Sequence, residues 1–314
     1  MKNTLLDLTK RTAGAKEVGL IEENLQYAPE VAMVPAKTIA GTSYTTLARV
    51  GLPTVGFTSV NQGVTASKST YKNALVQTFP LRSLVKVDKA LVNADSSLPS
   101  LQTDEASGVM EAALRHIGRQ FYYGQNAGGD SEGSIGLQDV VGAEQTFDAS
   151  GTTADTGSSV YLVKFGRKDV QMVFGNNSTL SLAPFRDETL TDSDGGEFDG
   201  SVAHLTAWQG VQCTNPNSVV RIANLTEDSG KGLTDAILAK ALALFPSGVT
   251  PDAIFMTRRT RSQLQADRAT RTATRGNGKN GSVGGGSTYS PTPTDFEGIA
   301  LTPTDSILNT EPLI

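Results

Sequence analysis

Four groups of residues in this sequence have types and spacings that could do chemistry. The stretch "TDSDGGEFDG" at 191–200 gathers Asp192, Asp194, Glu197 and Asp199, hard oxygen ligands dense enough to suggest Ca²⁺. Its spacing departs from the EF-hand, because Gly196 stands where a third ligand is needed, so a solvated hairpin turn is the expected reading. The glycine-rich "GQNAGGDSEGS" and "GSVGGGS" lack the G-x-x-x-x-G-K-[ST] run. Neither follows a strand and opens a helix as a dinucleotide site requires, so no nucleotide or other cofactor is expected. The histidines are His116 and His204 and the single cysteine is Cys213. That set allows no zinc cluster and no internal disulfide, and leaves few ways to build a nucleophile–base pair. Both histidines read as boundary or packing residues, and Cys213 as a small buried hydrophobe. No catalytic or metal site is expected.

The fourth group is a basic island. Arg258, Arg259, Arg261, Arg268, Arg271 and Arg275 lie in one run with Asp267 as its only acid. The whole chain is acidic, with Lys+Arg 27 against Asp+Glu 32 and a net charge of -5. Nucleic-acid binding through 258–275 is one reading. It lacks the stacking aromatics, helix-turn-helix pattern or overall basicity of such proteins. The other reading pairs the arginines with carboxylates of neighbouring segments or subunits, which the planar guanidinium suits.

The elements that must position these groups follow from periodicity. Residues 1–40 form an arm without a core of its own, with a short amphipathic helix expected at about 17–26. "GTSYTTLARV" and "ALVQTFPLRSLVKVD" are two β-rich runs, with Leu81, Val85 and Val87 on one strand face. Between them "GLPTVGFTSVNQGVTASKSTYK" is weakly hydrophobic, so 41–90 is expected to be a long projecting hairpin stabilised by another subunit. Residues 103–124 form the strongest helix, N-capped by Thr103, with Met110, Leu114, Ile117 and Phe121 in one stripe and Gly124 ending it in the left-handed region. Gly108 and Gly118 weaken that helix and allow another element to come close.

Residues 143–158 read as a polar loop. Next, 159–226 is strand-rich, with "SVYLVKFG" and "DVQMVFG" expected to pair across Gly166–Asp169 and a turn at Gly195–Gly196. A second amphipathic helix covers 232–245, a buried strand 252–257, and a helix follows from 258. A mobile loop is expected at 272–294, and 297–307 closes with a strand and turn. Strands do not alternate regularly with helices, so the fold class is α+β and not a doubly wound sheet. "MKNTLLDLTKRTAGAK" has no apolar core and no run of about 18 apolar residues occurs, so a soluble chain made in a cytoplasm, with no membrane partner, is expected.

Six segments in order resemble the major capsid proteins of tailed double-stranded DNA phages, which share the HK97-like fold. They are "GLPTVGFTSVNQGVTASKST", "FYYGQ" with the following "GLQ", "TDSDGGEFDG", "VVRIANL", "TRRTRSQL" and "EGIALTPTDSILNTE". The resemblance implies a subunit with an N-terminal arm (1–40), an extended hairpin or E-loop (41–90) and a P-domain with a long spine helix (91–125). It also implies an A-domain with a closing P-domain segment (232–314). The chain departs from better-known members in placing a strand-rich stretch before the helix at 232–245, which leaves the P- or A-domain ownership of 126–231 open. The resemblance further implies a homo-oligomer of hexamers and pentamers, an icosahedral phage head assembled in the host cytoplasm, and packaged double-stranded DNA on the inner face. A portal and scaffold or decoration proteins are the other implied partners. Some relatives crosslink through a hairpin lysine. Lys68 and Lys72 lie in the right segment, but no match identifies a partner asparagine, so crosslinking is not expected. Lys68, Lys72, Arg258, Arg259, Arg261 and Arg268 are the candidate inter-subunit contacts.

Overall fold

The computed structural model describes residues 26, 28–94, 100–275 and 291–314. The helix expected at 17–26 and most of the loop expected at 272–294 lie outside the described residues; 272–275 instead continue a helix. In chain order, a turn of helix α1 (Glu30–Met33) and strand β1 (Ala36–Thr38) lead into β2 (Ser43–Gly51), β3 (Thr70–Gln77) and β4 (Phe79–Asp88). Helices α2 (Lys89–Ala94), α3 (Leu101–Tyr123) and α4 (Leu137–Val140) follow. Next come strands β5 (Thr146–Asp148), β6 (Ser158–Val163), β7 (Val170–Phe174), β8 (Ser181–Leu182), β9 (Arg186–Thr191), β10 (Glu197–Cys213) and β11 (Val219–Leu225). Helix α5 (Asp235–Leu242), β12 (Ala253–Met256), α6 (Arg258–Arg275), β13 (Asp295–Phe296) and β14 (Ile299–Pro303) complete the chain.

These strands make two large sheets and a ribbon. One sheet runs β1-β7-β10-β4, with β8 and β9 also paired to β10. The other runs β13-β14-β12-β6-β11-β5, and β2 pairs only with β3. The second sheet explains its own apolar runs, since a strand covered on both faces must be apolar at every position. Tyr161 and Val163 of β6 join Ala253 and Phe255 of β12 in a core shared with Met172 and Val211 of the first sheet. The alternate residues, Val160 and Leu162 of β6 with Ile254 and Met256 of β12, face Leu238 and Ala241 of α5 and Leu264 of α6. A third cluster packs Leu101 of α3 and Leu91 of α2 on Val85 and Val87 of β4.

Several expectations are corrected here. β6 and β7 do not form a hairpin. β6 pairs with β11 and β12, while β7 pairs with β10 and β1, leaving one bridge between Phe165 and Val170. Both edges of β6 are already taken, by β11 and β12. The strand-rich stretch is therefore divided between the two sheets. The run 74–88 also divides. Residues 70–77 pair in the ribbon, and 79–88 pair with β10. Residues 146–148 of the expected loop form β5, parallel to β11. The N-cap of α3 is Ser100, whose Oγ accepts from Thr103 N at 3.4 Å.

Within α3, Ile117 and Phe121 are buried as the stripe requires, whereas Leu114 is partly exposed. Gly108 borders open space, but Gly118 is a point of close approach. A Cβ there would strike the Glu30 carboxylate and stand 2.6 Å from Ser306 Oγ. Gly124 has φ +56° and lies against Gly136, whose backbone would collide with any side chain.

Beyond Gly118, two buried carboxylates from the far ends of the chain converge on adjacent tyrosines. Glu30 accepts from Thr304 Oγ1 at 2.9 Å, from Ser306 Oγ, and from Tyr122 OH at 3.5 Å. Glu311 accepts from Tyr123 OH at 2.6 Å and Ser159 Oγ at 2.5 Å, and pairs with Arg221 at 3.0 Å. Tyr123 OH in turn accepts from Leu308 N at 2.7 Å. The closing segment 304–311 is thereby held against both α3 and the second sheet.

Two predictions follow from these pairs. Glu311→Ala leaves the Arg221 guanidinium buried without its counter-charge, so denaturant unfolding should show a loss of about 3–5 kcal/mol. A loss below about 1 kcal/mol would mean that water reaches Arg221. Burial pushes the Glu30 carboxyl pKa above its ordinary 4.5, outweighing its hydrogen bonds. The folded state therefore binds this proton more tightly than the unfolded chain. Glu30 adds stability below 4.5, and that contribution is lost as pH rises through the folded pKa. Glu30→Gln should therefore gain on wild type in thermal stability between pH 4.5 and pH 7, and parallel melting curves would contradict this.

Candidate assembly surfaces

The ribbon leaves the body at Thr42 and returns at Thr78, whose backbone N–H and Oγ1 both donate to Thr42 O at 2.9 Å. β-branched and aromatic residues give it extended backbone. Its register runs from Ser43↔Gln77 to Arg49↔Tyr71, with an irregularity before Gly51↔Thr70. Contacts at the root hold its angle. Tyr44 OH donates to Gln212 Oε1, the hydroxyls of Thr46 and Thr214 lie 3.2 Å apart, and Lys37 Nζ sits 4.6 Å from the Tyr44 ring centre.

Past the root, the large apolar side chains of the ribbon are left exposed by the described residues. Among the residues of β2 and β3, Val76 alone is buried. Leu47, Val50, Leu52, Val55, Phe57, Val60, Val64, Tyr71 and Leu75 are all exposed, with Val55 and Val60 above 90%. These nine of the fifteen large exposed hydrophobics among the described residues fall within 29 consecutive positions. Scattered exposed hydrophobes are ordinary in soluble domains, but such a concentration marks an interaction surface.

Lys68 and Lys72 are both exposed on the returning side of the ribbon. Lys72 lines a groove of about 890 Å³ between the ribbon, α4 and the end of β10. Arg49, Arg167 and Lys168 line the same groove, and no lining residue is acidic. Residue spacing gives no hint of this groove, because its cations come from three separate segments. Cys213 lies at its edge, buried, and burial pushes its thiol up to about 12.

The arginine island folds as α6, and its side chains diverge. Arg259 donates to Thr156 O at 2.7 Å, Leu225 O at 3.2 Å and Asn309 O at 3.2 Å. Arg268 holds Asp235 with two nitrogens, at 2.8 and 3.1 Å. Both hydrogen-bond inside the subunit, closing loops between α6, the second sheet and α5. Arg258 is exposed and Arg261 half-buried. The nucleic-acid reading of this island gains no support, since two of its cations are committed to the fold.

The remaining groups have structural uses. Asp192 accepts from Asp194 N at 2.9 Å and Gly196 N at 2.7 Å, closing the β9–β10 turn with Gly195 at φ +88°. Among the described residues no group of three His, Cys, Asp or Glu side chains is placed to hold a metal ion. His116 lies 3.6 Å from the Asp130 carboxylate on the exposed side of α3, and His204 sits within β10. No helix among the described residues is long and apolar enough to cross a membrane.

The chain is similar over its whole length to a chain of bacteriophage Epsilon15, with 19% identity, 98% of that chain covered and a TM-score of 0.74. It is also similar to the SrpI encapsulin of Synechococcus elongatus, with 7% identity over 71% of this chain and 97% of that one, at a TM-score of 0.50. No curated protein matches it in sequence. The fold is that of the HK97-like capsid proteins. A family model described as "Major capsid protein GP7" matches residues 21–314. The exposed apolar ribbon is the surface such a role requires, and the chain belongs to the GP7 major capsid protein family.

Proposed function

We propose that copies of this subunit close into hexamers and pentamers of an icosahedral phage head, each ribbon lying on a neighbouring copy. The observation that carries this is the row of exposed apolar side chains at 47–75. Fully burying one Val, Leu or Phe is worth about 1.5–3 kcal/mol, so a neighbour that covers several offsets the cost of association. On this reading the β2–β3 ribbon is the E-loop and 26–40 the root of the N-terminal arm. The β1-β7-β10-β4 sheet with α3 is the P-domain, and the second sheet with α5 and α6 is the A-domain. The strand-rich stretch then belongs to both.

The shell encloses double-stranded DNA, is assembled in the host cytoplasm, and meets a portal and scaffold or decoration proteins as further partners. The role is structural rather than enzymatic. A net charge of -5 suits it, because tight binding of every subunit to a polyanion would hinder packaging and release. Of the six candidate contact cations, Lys68, Lys72, Arg258 and Arg261 are the ones that favour a neighbouring copy. Arg259 and Arg268 already have partners within the chain.

Val55→Asp with Phe57→Asp tests the central point. Both side chains are exposed in the subunit, so its melting temperature should hold within about 2 °C. Particle yield in electron micrographs should fall at least about tenfold. Wild-type yield from this variant would remove the ribbon from the assembly interface.

A further inference from the structure

The groove at the ribbon root and the β9–β10 turn are opposite in charge and sit at opposite ends of one strand. The groove is lined by four exposed cations, Arg49, Lys72, Arg167 and Lys168, with no acid among its lining residues. The nearby Asp169 is occupied by Ser218 Oγ at 2.6 Å and Asn215 Nδ2 at 3.4 Å. The turn at 192–199 carries Asp192, Asp194, Glu197 and Asp199, all exposed, and no Lys or Arg. β10 begins at Glu197 beside the turn and ends at Cys213 beside the groove. At about 3.3 Å per residue its two ends lie on the order of 50 Å apart. The acidic turn therefore cannot reach the groove of its own subunit.

We propose that the groove receives the acidic β9–β10 turn of a second copy of this chain. The contact deepens the assembly reading and rests on it, since it gives that assembly a polarity. One end of a subunit enters the opposite end of the next, which is a heterologous interface, and such interfaces generate rings when the rotation closes. The lining also includes apolar Leu47, Ala48 and Val140 within a volume of about 890 Å³, and the turn carries a partly buried Phe198 behind its tip. Charge complementarity of this kind sets register and encounter rate more than raw affinity. The ribbon supplies the apolar area, and the groove selects the mate.

A charge swap tests the proposal. One variant carries Arg167→Glu and Lys168→Glu; a second carries Asp194→Lys and Glu197→Lys; a third carries all four. Asp192 is left in place because its carboxylate closes the turn. Circular dichroism first confirms that each variant folds, and assembly is then scored from nuclease-treated subunits by light scattering and electron microscopy. Wild-type particles establish the assembly reading independently of the swap. The two partial variants should assemble at least about tenfold less than wild type, and the four-fold variant should recover to within about threefold. Raising the salt from 0.1 to 0.5 M should slow wild-type assembly, because screening shortens the reach of these charges. Normal assembly of either partial variant, or failure of a folded four-fold variant, overturns the proposal. If the groove variant assembles normally but loses affinity for double-stranded DNA, the groove serves nucleic acid and the proposal is likewise overturned.

Discussion

The two carboxylates buried against Tyr122 and Tyr123 hold the rest of the subunit in place. Glu30 and Glu311 come from opposite ends of the chain, and both end at the last turn of α3. An ionised carboxylate in a dry interior costs several kcal/mol unless its lone pairs are filled. Ser159, Tyr123 and the Arg221 guanidinium fill those of Glu311, while Thr304 and Ser306 offset only part of the cost of burying Glu30. These partners belong to segments that also meet in the apolar core, where Val34, Ile117, Tyr161 and Ile307 pack together. The arm root, α3, the closing segment and the second sheet must therefore be positioned together or the charges go unpartnered. Gly118 belongs to the same constraint, because only a residue without a side chain lets Glu30 and Ser306 approach α3 so closely.

This rigid centre gives the ribbon a fixed place from which to project. The two sheets share the core around Tyr161, Phe255 and Met172, and the root contacts of Tyr44 and Thr46 reach Gln212 and Thr214 where β10 leaves that core. The division of labour is clear in the burial pattern. Strands β6, β11 and β12 are buried throughout, while the ribbon buries almost nothing. Stability resides in the body, and unsatisfied apolar surface resides in the extension.

Elements whose apolar pattern is local were legible in the sequence. "DAIFMT" reads as a buried strand and is one, and "GLTDAILAKALALF" reads as an amphipathic helix over 232–245, of which Asp235–Leu242 is helical. The hairpin expected at 41–90 was legible only in part, since its paired strands end at Gln77 and 79–88 join the first sheet. Pairing was not legible. β6 and β7 are adjacent, β-rich and separated by a glycine turn, yet they join different sheets, because partner choice depends on distant strands. Nor was the break at Thr78, where one continuous β-rich run passes from ribbon to sheet. Glu30 and Glu311 carry no local sign of burial, since an acid beside prolines or near a terminus looks like any solvated acid. Arg259 and Arg268 look like free cations until Thr156, Leu225 and Asp235 arrive from elsewhere in the chain.

A subunit that assembles through exposed apolar side chains must carry them without a large apolar patch, and the ribbon bears on that demand. The exposed hydrophobes of the ribbon from Leu52 to Val64 are flanked by Arg49 on one side and by Lys68 and Lys72 on the other, and polar Thr, Ser, Asn and Gln side chains separate them. One such contact is weak once the entropy of association is subtracted. On the proposed assembly each subunit of a closed array both offers a ribbon and receives one, and every contact after the first is effectively intramolecular. Weak single contacts that gain strength only on closure allow a wrongly placed subunit to leave before the shell seals. On the proposed assembly, the exposed ribbon is a contact that gains strength from closure rather than from any single pair.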